Sequence, residues 1–296
     1  MFQMLIRRGI LSSEFVYPGV VFMRRLINRL NDYAFKRIFG VEENKDILLD
    51  FLNAVILTDV SGPLTEITLC DRELDPEFIG DKTSRLDILA KSADGMHINI
   101  EVQIVNLGNP RKRSLYYWSR LYGGQLTAGL QYEKLSSVIA INVVNFACLP
   151  DPERFHHTYQ VLEIESREPL TRDCEIHFLE LPKFTRLRRP VQTRLDKWLT
   201  YLSNAEGSEM EAIAMSEPMI KKAITIEEIF AKNDHERRLY ELREKGLRDI
   251  ESIRLEGRTE ERLAIAQAML SKGATPAFVA ETTGLSIDEV KRLTDH

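Results

Sequence analysis

Two short alternating segments around one Asp-Gly pair leave this chain a single sensible pairing register. In Arg85-Leu-Asp-Ile-Leu-Ala-Lys91, Leu86, Ile88 and Ala90 share one face of a strand; in Ile98–Ile104, Ile98, Ile100, Val102 and Ile104 do. A two-residue turn at Asp94-Gly95 sets Ile88 opposite Glu101 and mixes apolar with charged side chains. A three-residue turn, Ala93-Asp94-Gly95, with a left-handed glycine, sets Ile88 opposite Ile100, Ala90 opposite Ile98 and Leu86 opposite Val102. The apolar face then closes. Asp87 falls opposite Glu101 on the other face, with Gln103 further along beside Arg85.

Hydrophobic matching therefore predicts two carboxylates as cross-strand neighbours, roughly 5 Å apart at Cβ. Like charges so placed repel, unless a cation sits between them or one is protonated. Asp and Glu are hard oxygen ligands suited to Mg²⁺ or Mn²⁺. The competing reading is a solvated face on which Asp87 and Glu101 are salt-bridged by Arg85 and Lys91.

Val138–Phe146 is an almost unbroken apolar run, the signature of a strand buried on both faces. Further strands are expected at Glu66–Asp71, Tyr159–Ile164 and Glu175–Leu181. Helices are expected over 31–57 with a break after Gly40, over Arg111–Leu130, and from Val191 onward. Strands around one helix, with helices at both ends, mean an α/β or α+β fold. Asn233–Glu261 is dense in charge, with Leu239, Leu242, Ile250 and Ile253 at helical spacing. It reads as a long exposed helix, either a spacer or a short coiled coil. Gly273, Thr275-Pro276 and the capping box Ser286-x-x-Glu289 punctuate Ala264–Leu293 into a helix-turn-helix-like layout. Only Lys291 and Arg292 charge its last helix positively, which favours a protein contact over DNA reading. The resulting division is 1–22, an extension ahead of a natural start at Met23; 23–205, the catalytic domain; 206–262, a charged helical linker or coiled coil; and 263–296, a small C-terminal unit. A targeting segment is the other reading of 1–22, which Glu14 interrupts.

The net charge of −5 does not advertise nucleic acid, so any contact with a nucleic-acid backbone needs local basic patches. One is Arg111-Lys112-Arg113 at the start of the aromatic helix, where basic side chains can grip phosphates and Tyr116, Tyr117, Trp118 and Tyr122 follow. Leu115, Trp118 and Tyr122 have core spacing. Arg186–Arg189 is a second patch, read as a solvated loop. Three scattered cysteines form no CxxC pair and fit a reducing cytoplasm rather than a disulfide or zinc framework. His156, His157 and His177 are not spaced as a zinc set. No apolar run reaches the ~18 residues of a membrane span.

The motifs together resemble the PD-(D/E)XK nuclease superfamily and, within it, the Rpn family of recombination-promoting nucleases, also described as PD-(D/E)XK transposase-like. The stretches that carry the resemblance are Asn31–Gly40, Leu49–Asn53, Arg85–Leu89, Ile98–Gln103, Arg113–Tyr122, Gly129–Tyr132 and Thr283–Ser286. The resemblance implies a restriction-endonuclease-like α/β core, a mixed central sheet flanked by helices, with an α-helical C-terminal region. It implies a cytoplasmic, Mg²⁺- or Mn²⁺-dependent endodeoxyribonuclease acting in recombination or defence against foreign DNA. Its metal ligands would be Asp87 and Glu101, its catalytic set Asp87, Glu101 and Gln103, and its phosphate contacts Arg85, Arg111, Lys112 and Arg113. Gln103 stands where the wider superfamily has lysine; a neutral amide can orient water but not act as a charged electrophile or base. An acid of the first helix serves some superfamily members as a further ligand. Asp32 is the first candidate here, set against a capping role, with Asp46 and Asp50 as rivals; Lys36 is read as a phosphate contact or a solvated charge. A catalytically inactive DNA- or protein-binding module is the alternative. Likeness to family members also raises self-association through residues 206–296, including a short product started at Met210, Met215 or Met219.

Overall fold

The computed structural model describes residues 27–56, 62–71, 73–74, 84–126, 129 and 131–293, with backbone alone at 73–74 and 84–85. The expectations for residues 1–22 and for the Arg85 side chain lie outside the described residues. The chain divides into two compact units, Met1–Tyr240 and Glu241–His296.

The first helix among the described residues is α1 (Asp32–Phe39), whose N-cap is Asn31; its side chain accepts from the Tyr33 and Ala34 N–H groups. Helix α2 (Lys45–Val55) follows. Phe35, Ile38 and Phe39 of α1, and Ile47, Leu48, Phe51, Leu52 and Val55 of α2, form the buried stripes their spacing predicts. Six strands make one sheet: β1 (Ile67–Leu69), β4 (Ile88–Ser92), β5 (His97–Gln103), β6 (Val138–Val144), β7 (His156–Gln160) and β8 (Cys174–Glu180). A separate short ladder pairs β2 (Glu73–Leu74) with β3 (Ser84–Arg85). The six-stranded order is β1-β4-β5-β6-β8-β7. The β5–β6 and β6–β8 pairs are parallel and the others antiparallel, giving the mixed sheet expected. All seven residues of β6 are buried, as its apolar run requires.

Helices α3 (Pro110–Gly123), α4 (Leu181–Leu187), α5 (Arg194–Leu202), α6 (Ser208–Ser216) and α7 (Pro218–Lys232) complete the unit. Ile88, Ala90, Ile98, Ile100, Val102, Ile139, Ile141 and Val143 pack with α1, α2 and α5, where Trp198 meets Phe39 and Phe51. Met210, Ile213, Ile220 and Ala223 join that same core, so α6 and α7 pack into the first unit although their sequence reads as linker. Helix α3 covers the other sheet face. Pro110, Ser114, Tyr117 and Leu121 are its buried residues, and Leu115, expected inside, is exposed. Trp118 is held by its Nε1–H donating to the Val138 carbonyl at 2.9 Å and by stacking on Tyr122.

Two expected strands are offset. β1 is shorter than Glu66–Asp71, and the edge strand is β7, not Tyr159–Ile164. Val161, Leu162 and Ile164 are exposed and turn back toward Pro169 through a single bridge, so their apolar character does not mark a buried strand.

Helix α8 (Asp234–Ser271) runs from the end of the first unit into the second, covering the charged segment as one long helix. In the second unit, α9 (Pro276–Thr283) starts at the Thr275 cap and α10 (Ile287–Arg292) at the Ser286–Glu289 capping box. Ala266, Val279, Leu285 and Val290 bury a small core between them. No helix among the described residues is long and apolar enough to cross a membrane.

Candidate active site

The β4–β5 hairpin adopts the three-residue turn. Ser92 donates to the Met96 carbonyl across Ala93-Asp94-Gly95, and Gly95 has φ +93°, a left-handed conformation that suits glycine. Ile88 then pairs with Ile100 and Ala90 with Ile98. Alternation along β5 puts Asn99, Glu101 and Gln103 on the face that α3 covers.

The ladder stops just before Asp87. Instead of a strand carbonyl, the Asp87 carboxylate takes the Val102 N–H, Oδ2 accepting at 3.0 Å. The Asp87 N–H in turn donates to Glu101 Oε1 at 3.3 Å. A short acidic side chain that captures backbone donors competes with regular pairing, and here it ends the strand. The expected Leu86–Val102 pairing is therefore absent. Leu86 packs instead with Leu89, Tyr117, Leu121 and Val138. The Arg85 backbone pairs with Glu73 in the separate short ladder.

The two acids are thus joined head to head, each by a bond to the other's strand. Two cations reach them from different helices. Lys36 of α1 places Nζ 2.8 Å from Asp87 Oδ1, and Arg113 of α3 places a guanidinium nitrogen 3.1 Å from Glu101 Oε2. Arg113 also lies over the Tyr117 ring, 5.3 Å from its centre. Glu101 is almost fully enclosed, and its carboxyl is pushed up to about 7. Burial is the largest cause and the Asp87 charge the second, with Arg113, the Asp87 N–H and Lys36 pulling the other way. Beside Glu101, Asn142 of β6 donates to Ser114 Oγ at 2.7 Å and to the His177 carbonyl at 3.0 Å, which fixes α3 against the sheet. Gln103 holds a buried amide nitrogen, Nε2, with no hydrogen-bond partner among the described residues.

The candidate acids of α1 and α2 separate clearly. Asp46 pairs with Lys222 at 2.7 Å. Asp50 accepts from Trp198 Nε1 at 2.8 Å and pairs with Arg194 at 2.5 Å. Both serve helix packing. Asp32 is not the N-cap, which is Asn31; it lies 3.8 Å from Lys36 and so borders the Asp87 cluster. Arg111 and Lys112 are exposed on the first turn of α3, next to Arg113. Arg186 bonds the Pro152 carbonyl, and Arg189 pairs with Asp196, so neither belongs to a loose basic loop. His156 and His177 bond each other at 2.9 Å, and His177 bonds Glu175 at 2.7 Å, a role within the sheet edge.

The sequence reading left Lys36 undecided and did not foresee Arg113 as the partner of Glu101. The signal for Lys36 was its place at the margin of the Phe35–Ile38–Phe39 stripe, one turn after Asp32.

The donor chemistry fits a hard divalent cation: two carboxylates meet, and one of them is hard to ionise, first because it is buried and second because the other is there. Mg²⁺ is commonly held by one or two carboxylates with several waters. Among the described residues no group of three or more His, Cys, Asp or Glu side chains is placed to hold a metal, so the remaining ligands would be backbone oxygens and water.

Residues 29–256 match the model of the PD-(D/E)XK nuclease family transposases. Residues 259–295 match that of the C-terminal HTH domain of the Rpn/YhgA-like nuclease family. Searches of curated proteins and of solved structures return no significant match. The chain belongs to the PD-(D/E)XK nuclease family transposases and carries the C-terminal helix-turn-helix domain of the Rpn/YhgA-like nucleases.

Proposed function

We propose that the protein is a Mg²⁺- or Mn²⁺-dependent DNA endonuclease acting through Asp87, Glu101 and Gln103. The observation that carries this reading is Glu101: enclosed, bonded to the Asp87 backbone, and raised to about 7 beside a second carboxylate. A protein gains nothing in stability by burying two acids together; the arrangement makes sense where a cation is to be bound.

Asp87 and Glu101 would hold the cation, whose chemistry is to acidify a bound water and offset charge on the phosphate. In the hydrolysis, the water oxygen bonds to phosphorus as the bond from phosphorus to one sugar oxygen breaks. One water proton leaves to solvent, and the departing sugar oxygen acquires a proton. Gln103 offers its unpartnered Nε2 donor to the attacking water or a phosphate oxygen. Arg113 balances Glu101, and the exposed Arg111 and Lys112 bind the DNA backbone nearby. Arg85 remains a phosphate contact by sequence position. The helix-turn-helix unit is proposed as a second DNA contact, with recombination or defence against foreign DNA as the setting.

The test is nicking of supercoiled plasmid with Mg²⁺ or Mn²⁺ by wild type and Asp87→Ala. Cleavage by wild type and its loss in the variant support the reading; equal rates remove Asp87 from the mechanism. One observation favours a non-catalytic binding module: Lys36, Arg113 and two backbone N–H groups already bond the four carboxylate oxygens. Wild-type protein that binds DNA but neither Mn²⁺ nor cuts would support that module.

A further inference from the structure

We infer that Lys36, reaching in from helix α1, is the electrophile that stabilises the scissile phosphate and takes the part that neutral Gln103 cannot. This deepens the nuclease reading and rests on it.

The strand that bears Glu101 brings no positive charge to the cluster. Two residues after Glu101 stands Gln103, whose amide nitrogen is buried without a partner among the described residues. Phosphodiester cleavage builds charge on the non-bridging oxygens, and a preformed donor aimed at that charge is among the largest contributions an active site makes. The chain supplies two cations at the acids, and they are not equivalent. Arg113 is the more exposed of the two, with 37% of its side chain open to solvent, but it is held twice: it pairs with the enclosed Glu101, and its guanidinium lies over Tyr117. Lys36 is a compact ammonium on a flexible stem with three donors. It stands 2.8 Å from Asp87 Oδ1 and 3.8 Å from Asp32, and its side chain keeps about a fifth of its surface open to solvent. A donor that touches the acid cluster and still faces solvent can meet an incoming phosphate.

The placement of Lys36 is built, not incidental. Phe35 and Phe39 stack at 4.6 Å inside the core and orient α1. Gly40, at the end of the helix, lies against Ile88, the first residue of β4. A Cβ there would meet Ile88 Cγ1 at 3.2 Å and the Lys36 carbonyl at 2.9 Å. The glycine lets the last turn of α1 sit on the strand that Asp87 precedes, and this close approach carries Lys36 to the acid.

A purely structural ion pair would also put Lys36 here, so the test must move something that such a role would not. Full-length wild type, Lys36→Gln, Lys36→Arg, Lys36→Gln/Gln103→Lys and Asp87→Asn are compared in plasmid cleavage, in thermal melting, and in Mn²⁺ binding without DNA by electron paramagnetic resonance. We expect Lys36→Gln to lower kcat by roughly 100-fold, with little change in KM or melting temperature. Lys36→Arg retains part of the rate. Returning a lysine from the strand in the double variant recovers at least ~10-fold of the loss, since one charge is supplied from either side of the same cluster. Without DNA, Lys36→Gln binds Mn²⁺ more tightly, because a competing cation at Asp87 is gone. Wild-type kcat in Lys36→Gln overturns the assignment; so does a rate loss that only tracks lost stability, a double variant with no recovery, or unchanged or weakened Mn²⁺ binding. Full activity in Asp87→Asn overturns the nuclease reading itself, whereas an inactive Asp87→Asn beside a fully active Lys36→Gln overturns the Lys36 assignment alone.

Discussion

Glu101 and Glu180 are the same residue on the same face of one sheet, both buried, and they do opposite things. Glu180 is surrounded by donors. It accepts from Cys148 N–H at 2.6 Å, from Leu149 N–H at 3.2 Å and from Lys183 Nζ at 2.6 Å. Lys183 also donates to the Leu149 and Asp151 carbonyls. The pair fastens the loop after β6 onto the first turn of α4, and every charge has an answer. Glu101 has Arg113 and one backbone N–H, and it faces another carboxylate. Burial alone does not separate a fold-holding acid from a chemical one. What separates them is the neighbour: Glu180 meets only donors, whereas Glu101 shares its enclosure with a second carboxylate, and such a pair is where function is sought.

The comparison breaks most visibly in activity. Asp87→Asn or Glu101→Gln is expected to lower plasmid cleavage by roughly 100-fold or more, while circular dichroism shows the native fold. Glu180→Ala is expected to leave the specific activity of the folded fraction unchanged.

Stability should show the reverse. Glu180→Ala strands the Lys183 ammonium in the interior and should cost about 3–5 kcal/mol, read from chemical denaturation. Replacing both partners, Glu180→Leu with Lys183→Met, should recover much of that loss, since a buried pair is often replaceable by apolar packing.

The pH dependence sharpens the contrast at Glu101. Its folded value of about 7 lies above its ordinary 4.5, so the folded state holds the proton more tightly than the unfolded chain does. Its contribution to stability is full below pH 4.5 and is lost as pH rises through 7. Glu101→Gln, which cannot ionise, should therefore be more stable than wild type at pH 8, by about 1–3 kcal/mol. The difference should vanish near pH 4.5, the ordinary value. Thermal melts across that range check the sign. The smallest effect concerns the helix that carries Arg113 to Glu101: Trp118→Phe removes the bond to the Val138 carbonyl and should cost about 1 kcal/mol, without altering metal dependence.

Much of this was legible in the residues. Ile88, Ala90, Ile98 and Ile100 could satisfy one face in one register only, and that register brings Asp87 to Glu101. The run at 138–144 announced a strand with no exposed face. Thr275 and Ser286 marked helix starts because their hydroxyls accept from N–H groups that a helix end leaves open, and Pro276 because it has no N–H to leave open. What stayed hidden depended on partners distant in sequence or on a side chain replacing a backbone bond. Leu86 continues the alternation of Ile88 and Ala90, yet the Asp87 carboxylate takes the ladder's N–H and turns Leu86 to the other side. Lys36 meets Asp87 only after α1 docks on the sheet; its place at the margin of the apolar stripe marks the side it faces, not the partner it finds. Met210 and Ile220 sit among charged neighbours, and their burial follows from the surface that α6 and α7 find, not from their own pattern.

The central claim is that the two acids bind one cation together. Crystals soaked in Mn²⁺ and measured at the manganese absorption edge test it most directly. The account predicts one anomalous peak at ~2.0–2.2 Å from oxygens of both Asp87 and Glu101, with the Lys36 ammonium displaced from Asp87. No peak at the pair, with Lys36 and Arg113 still holding the two carboxylates, would contradict it.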